Sequence, residues 1–152
     1  IGGFDEEYPG SGYEDVEFAY RAIKLGYDLL YNPNAAGTHQ HTGTLAEVAK
    51  HMYKYQIMAA LTIKKHPEVR PLIEHLRDKE PIRWTQDRPA LVLRKLYRQG
   101  LALPLARRLL EWTVRWTEVV YPQPALLRCL YWQILGSHLL LGYREGLRQY
   151  GI

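Results

Sequence analysis

Gly2-Gly3-Phe4-Asp5-Glu6-Glu7, then Gly12-Tyr13-Glu14-Asp15-Val16-Glu17-Phe18, then Pro33-Asn34-Ala35-Ala36-Gly37-Thr38-His39 are the stretches on which the reading of this chain turns. The first is glycine-rich and acidic without an apolar period, so residues 1–13 read as loop. The second opens a helix. Val16, Ala19, Tyr20 and Ile23 recur at i, i+3, i+4 and i+7, which predicts a helix over residues 14–25 ended by Gly26 in a left-handed cap. The third follows a short apolar run, residues 27–31, stopped by Asn32-Pro33-Asn34. That run reads as a strand and turn, and residues 35–41 as a second short strand.

Farther along, Thr44-Leu45-Ala46-Glu47 matches a capping box, with Thr44 as N-cap and Glu47 reaching back. Leu45, Val48, Ala49, Met52, Ala59, Ala60 and Ile63 carry a helical stripe to residue 65. Pro67 restarts the chain, and residues 68–77 read as a short helix. Residues 79–87 are polar and proline-broken, a linker. From Arg88 the pattern is helical, with breaks near Gly100 and at Pro122-Gln123-Pro124. The expected division is residues 1–78, residues 79–87 as linker, and a helical appendage over residues 88–152.

Glu14 and Asp15 open the first helix, where backbone N–H groups favour negative charge. An ionised carboxylate on a rigid element beside a glycine-rich loop suits a general base. Glu14 has an equally good structural role, because Ser11-Gly12-Tyr13-Glu14 is itself a capping-box pattern. Glu17 and Arg21 stand at i, i+4 and read as a solvated ion pair. His39 and His41 would share a side of an extended segment and could approach one metal ion. His51, His66 and His75 read as surface or packing residues, and His138 as a satisfied interior one.

In combination these pieces resemble the family-two glycosyltransferases of the GT-A fold and their galactosyltransferase-like relatives. Those proteins carry a GGFDE-type loop, a G-[YWG]-E-D-x-[DE] segment that starts a helix, a strand, and then P-x-A-x-x-x-H. The matching residues are Gly2 to Glu6, Gly12 to Glu17 and Pro33 to His39, and the likeness covers roughly residues 1–65. The resemblance implies an α/β GT-A glycosyltransferase fragment, mostly α-helical here, with one or two short strands and a helical C-terminal appendage. It implies an enzyme that moves a sugar from a nucleotide-sugar donor to the hydroxyl of a glycan or other acceptor, with inversion. Asp15 would be the base, with Glu14 binding acceptor hydroxyls or orienting it. Gly2, Gly3, Phe4, Asp5 and Tyr13 would shape the substrate pocket. His39 would be a ligand of Mn²⁺ or Mg²⁺ bridging the donor diphosphate. The family's Asp-x-Asp metal motif and its nucleotide-binding sheet are not found in this sequence. Together with the start at Ile1, that reads as the C-terminal part of a longer enzyme, and the fragment alone is expected to be inactive.

The bulk properties frame these expectations. The chain has 152 residues, 47% of them hydrophobic, enough for one domain with a core. A net charge of +4 favours anionic partners without choosing among them. Cys129 is the only cysteine, which excludes an internal disulfide and a cysteine-based zinc site and suits a reducing, cytoplasmic compartment. In the tail, Leu101, Leu105, Leu109, Trp112, Trp116 and Val119 make an apolar stripe, with Arg107, Arg108 and Arg115 elsewhere on the helix. Packing on the rest of the protein is the plainer role for that stripe. The alternative is a helical module lying on an anionic membrane surface or a protein partner. Residues 125–143 contain Arg128, Gln133 and His138, which argues against a membrane span. No nucleic-acid motif is present, and adjacent carboxylates on one helix do not suit a glycosidase, whose two acids flank the scissile bond.

Overall fold

The structure, a computed structural model, describes residues 1–10, 12–38 and 43–152. Five α-helices account for most of it: α1 (Glu14–Lys24), α2 (Leu45–Lys65), α3 (Pro89–Leu101), α4 (Pro104–Val120) and α5 (Pro124–Tyr150). Two short 3₁₀ segments, Pro67–Leu72 and Glu74–Leu76, link α2 to the approach to α3. The helix starts follow local chemistry. Thr44 and Glu47 form the full reciprocal capping box on α2. Pro89, Pro104 and Pro124 open α3, α4 and α5, where a missing N–H costs nothing.

The expected α/β architecture is not found. The protein is all-helical, with 67% of it in helix and no strand or sheet among the described residues. Residues 27–31 are irregular and lie open to solvent, with Leu30 88% and Tyr31 91% exposed. A strand gains its stability from a neighbour on at least one edge and an apolar face, and no described segment offers this run either one. Residues 35–38 are likewise irregular and exposed. The rest of the second expected strand, residues 39–41, lies outside the described residues.

The core is the seam between α2 and α5. The two helices run parallel: Ala49 of α2 meets Ile134 of α5, Tyr53 lies against Gly142, and Ile57 and Ala60 lie against Gly146. Lys64 reaches over the Tyr150 ring near the far end, 6.0 Å from its centroid. Two glycines one turn apart let the backbones touch. A Cβ on Gly142 would run into the carbonyl group of Tyr53, and one on Gly146 would sit 2.7 Å from the Ala60 Cβ and 2.8 Å from the Ile57 oxygen. Met58, Ala59, Leu61 and Ile63 of α2 join Tyr143 of α5, Tyr13 and Leu76 in the main core. Val114 of α4 closes a smaller one with Ala49 and Ile134.

α4 packs against α5 through Leu110, Val114 and Thr117. Its other face holds Leu105, Leu109, Trp112, Trp116 and Val119, each at least half exposed. The stripe expected to pack inward therefore points to solvent, apart from half-buried Leu101.

Gly142→Ala tests the α2–α5 seam. The added methyl meets backbone, which cannot rotate aside, so the helices must part. Overpacking of this kind costs about 1–3 kcal/mol, against which alanine's better helix propensity returns up to ~1 kcal/mol. Urea unfolding should show a net loss of stability, whereas Gly100→Ala, whose Cβ meets nothing within 4 Å, should be neutral or stabilising.

Candidate functional site

The start of α1 is fixed by an unusual backbone. Tyr13 takes the N-cap position with a positive φ of 65°. Gly12 before it has φ 129°, and a Cβ there would sit 2.6 Å from Cδ2 of Tyr55, so only glycine fits. Tyr13 is 1% exposed. Its ring lies against Tyr55 at 4.7 Å between centroids, and its hydroxyl meets His75 Nε2 at 2.7 Å. Burial pushes the Tyr13 hydroxyl well above the usual tyrosine range. Glu14 turns back to accept the Gly12 N–H, which pins the loop just ahead of α1; the helix itself has no side-chain cap, so the expected capping box is not formed. Asp15 is exposed; one of its oxygens takes the Val16 N–H at 2.8 Å, and no described cation pairs with it.

The glycine-rich loop folds onto the opposite side of α1. Arg21 fastens it: its guanidinium donates to the carbonyls of Ile1 and Gly3, the latter at 2.6 Å, and its Nε donates to Glu17 Oε1 at 2.7 Å. Phe4 packs on Phe18, with centroids 5.0 Å apart. Lys65, at the end of α2, pairs with Asp5 and with Glu7, the latter at 2.8 Å. That ammonium, followed by the Glu7 N–H, holds the Asp5 carboxyl below the usual carboxylate range. Burial works against the Lys65 charge, but its bonds to Asp5 and Glu7 outweigh this and raise its pKa.

Between loop and helix lies a recess of about 340 Å³, lined by Gly2, Gly3, Phe4, Asp5, Glu17, Arg21, Lys65 and His66. Glu17 is 1% exposed. Its Oε1 is shared by Arg21 and by His66 Nε2 at 3.0 Å, while its Oε2 is buried with no hydrogen-bond partner. A buried acceptor without a donor calls for one.

Four of the expected substrate-binding residues, Gly2, Gly3, Phe4 and Asp5, therefore come together around one recess. Tyr13 does not join them; it is a core anchor. Glu14 and Asp15 sit at the tip of α1, with Asp15 about 200° around the helix from Glu17, two residues on. His39 and His41 lie outside the described residues. Among the described residues no three His, Cys, Asp or Glu side chains are grouped to hold a metal ion. Sequence reasoning missed Glu17, taken as a solvated partner of Arg21, and also Lys65 and His66. The i, i+4 spacing of Glu17 and Arg21 was visible; the burial, which comes from the end of α2, was not.

No protein-family model matches the chain, and neither the curated proteins nor the solved structures yield a match. The site has to be read from its own geometry.

The Tyr13–His75 contact carries a pH signature. The His75 side chain is exposed as a whole, but its ring edge is desolvated where it meets Tyr13. That desolvation, followed by the Lys79 charge, lowers its pKa from the ordinary 6.5. The unfolded chain then takes up a proton more readily than the folded one, so this stability is complete above the unfolded value and is lost as pH falls through the lower folded value. Urea unfolding at pH ~7.5 and ~5 should show a smaller acid-side loss for His75→Gln than for the parent chain.

Proposed function

We propose that residues 1–66 form the acceptor side of a glycosyl-transfer site, in which Asp15 takes the proton of an acceptor hydroxyl. As that oxygen attacks the anomeric carbon of a nucleotide-sugar donor, the new glycosidic bond forms, and the nucleoside diphosphate leaves with the electrons of the broken bond. Asp15 suits the base role: it is solvent-facing, on the first turn of a helix, and held by nothing that would neutralise it. The observation that carries the reading is the recess on the other side of the same helix. Its lining combines the buried carboxylate of Glu17, the aromatic ring of Phe4 and the polar groups of Asp5, Lys65 and His66. A sugar carries apolar ring faces and many hydroxyl donors, and it satisfies such a lining. Since Asp15 and the recess lie on different sides of a helix tip roughly 10–12 Å across, the acceptor has more than one sugar unit. One unit sits in the recess while another presents its hydroxyl to Asp15.

A second reading, docking on an anionic membrane surface, is favoured by α4. Its exposed stripe of Leu105, Leu109, Trp112, Trp116 and Val119 is flanked by exposed Arg108 and Arg115, the residue types of a helix that lies in a membrane interface. Among the described residues no helix is long and apolar enough to cross a membrane. The two readings are compatible, since α1 and α4 present separate surfaces.

In the full-length protein, Asp15→Asn should retain donor and acceptor binding and lose transfer by about 10²–10⁴-fold, the usual worth of a general base. Glu17→Gln should chiefly raise KM for the acceptor, because it removes a contact made in ground state and transition state alike. Near-normal turnover of the Asp15 variant would remove it from the mechanism. For α4, sedimentation with phosphatidylglycerol vesicles at low salt should be strong, fall at high salt, and be lost in Trp112→Ser/Trp116→Ser. Equal sedimentation of that variant would end the membrane reading.

A further inference from the structure

A cavity of about 800 Å³ lies away from α1's recess, between the 3₁₀ segments and the start of α3. Five arginines line it (Arg70, Arg77, Arg83, Arg88 and Arg94) against three carboxylates, Glu74, Asp78 and Glu80. The carboxylates are largely spoken for. Glu80 pairs with Arg70 at 2.7 Å and with Arg83 at 3.4 Å. Asp78 Oδ2 pairs with Arg94 and with Arg98 just outside, both at 2.9 Å. Arg77 and Arg88 have no carboxylate partner among the described residues. Of the lining carboxylates Glu74 makes no ion pair among the described residues, and five guanidinium groups against three carboxylates still leave the cavity an excess of positive potential.

Two independent features sharpen this. The first turn of α3 forms part of the wall through Ala90 and Leu91. That helix start has no side-chain cap and no acidic residue in its first turn; Pro89 carries no N–H and the Leu91 and Val92 N–H groups bond the Arg88 carbonyl, which leaves the Ala90 N–H as the free donor at the positive end of the dipole. The second feature is Asp78. It is only 6% exposed, and its Oδ1 is buried without a hydrogen-bond partner; the nearest cation, Lys79 Nζ, is 3.7 Å away. The Lys79 amine is pushed down to about 8, first by its burial, as expected where water is scarce and positive charge is dense. The arginines and helix end ask for an anion, while Asp78 Oδ1 asks for a hydroxyl donor close to it.

We infer that this cavity binds a phosphate group carried on a hydroxyl-bearing molecule, with Arg77, Arg88 and the α3 N-terminus on the phosphate and Asp78 Oδ1 on a neighbouring hydroxyl. A planar guanidinium fork matches two phosphate oxygens at once. A sugar phosphate supplies both groups, as does a phosphoinositide headgroup. The site is separate from the α1 recess and does not depend on the function proposed for it.

The test uses the full chain and two probes: glucose 1-phosphate by titration calorimetry, and vesicles of phosphatidylcholine containing phosphatidylinositol 4-phosphate by sedimentation. Inorganic phosphate serves as the hydroxyl-free control. Arg77→Gln/Arg88→Gln removes two exposed side chains that make no ion pair, so its thermal melt should match the parent. The expected result is binding of at least one probe, at least tenfold tighter than inorganic phosphate for the soluble one, and a tenfold or greater loss in the double variant. Loss of glucose 1-phosphate binding identifies a soluble ligand; loss confined to the vesicles identifies a lipid headgroup. Failure of both probes to bind at millimolar phosphate, or binding unchanged in the folded double variant, would overturn the assignment.

Discussion

The backbone contact between α2 and α5 at Gly142 and Gly146 is the constraint on which the other parts depend. Because neither glycine carries a Cβ, α5 comes close enough to α2 for Ala59, Ala60, Met58 and Tyr143 to exclude water between them. That approach buries α2 on nearly all sides over its last two turns, where Met58 through Ile63 are all buried. A helix end enclosed in this way is a rigid footing, and the first residues of the chain are fastened to it. Tyr8 bonds Thr62 at 2.8 Å, Tyr13 stacks on Tyr55, Lys65 holds Asp5, and His66 holds Glu17. The recess is thus a product of the seam. Its loop has no secondary structure of its own, and its shape is borrowed from α2.

This dependence explains what could and could not be read in the sequence. Features encoded within a few residues were legible. The capping box at Thr44 and Glu47, the start of α1 at Glu14, and the breaks at Pro67 and at residues 122–124 appear where local chemistry puts them. The loop character of the glycine-rich residues 2–5 is likewise local, and they fold around a recess. The failures were all non-local. An apolar run at residues 27–31 looks like a strand, yet a strand exists only with a partner, and a linear pattern cannot show that the partner is lacking. The α4 stripe has the spacing of a buried face, but periodicity gives the existence of a face and not its direction. Leu110 and Val114 turn inward onto Ile134 of α5 and Ala49 of α2, and Thr117 is buried as well. Glu17 was misjudged for the same reason, since its burial is supplied by His66, forty-nine residues away.

Charge is distributed with some order. Around the recess each charge finds an opposite: Lys65 with Asp5 and Glu7, Arg21 with Glu17. The loop is held by directed bonds, so its conformation is specified and not merely allowed. Near the 3₁₀ segments the arginines outnumber the carboxylates that could neutralise them, and along α4 exposed Arg108 and Arg115 stand between an apolar stripe and the acids Glu111 and Glu118. Balanced charge goes with the part that must hold a shape, and unbalanced charge with the surfaces left open.

The length of α5 has a mechanical consequence. Its 27 residues make a rod of roughly 40 Å at 1.5 Å per residue, touching α4 near one end and the footing of the recess near the other. Contacts with α2 are spaced along it, from Ile134 against Ala49, through Gly142 and Gly146, to Tyr150 beneath Lys64. Over those sixteen residues, roughly 24 Å, the rod is splinted to α2 at several points and has no single pivot. α4 and the loop that Lys65 holds are therefore footed on one stiff two-helix beam.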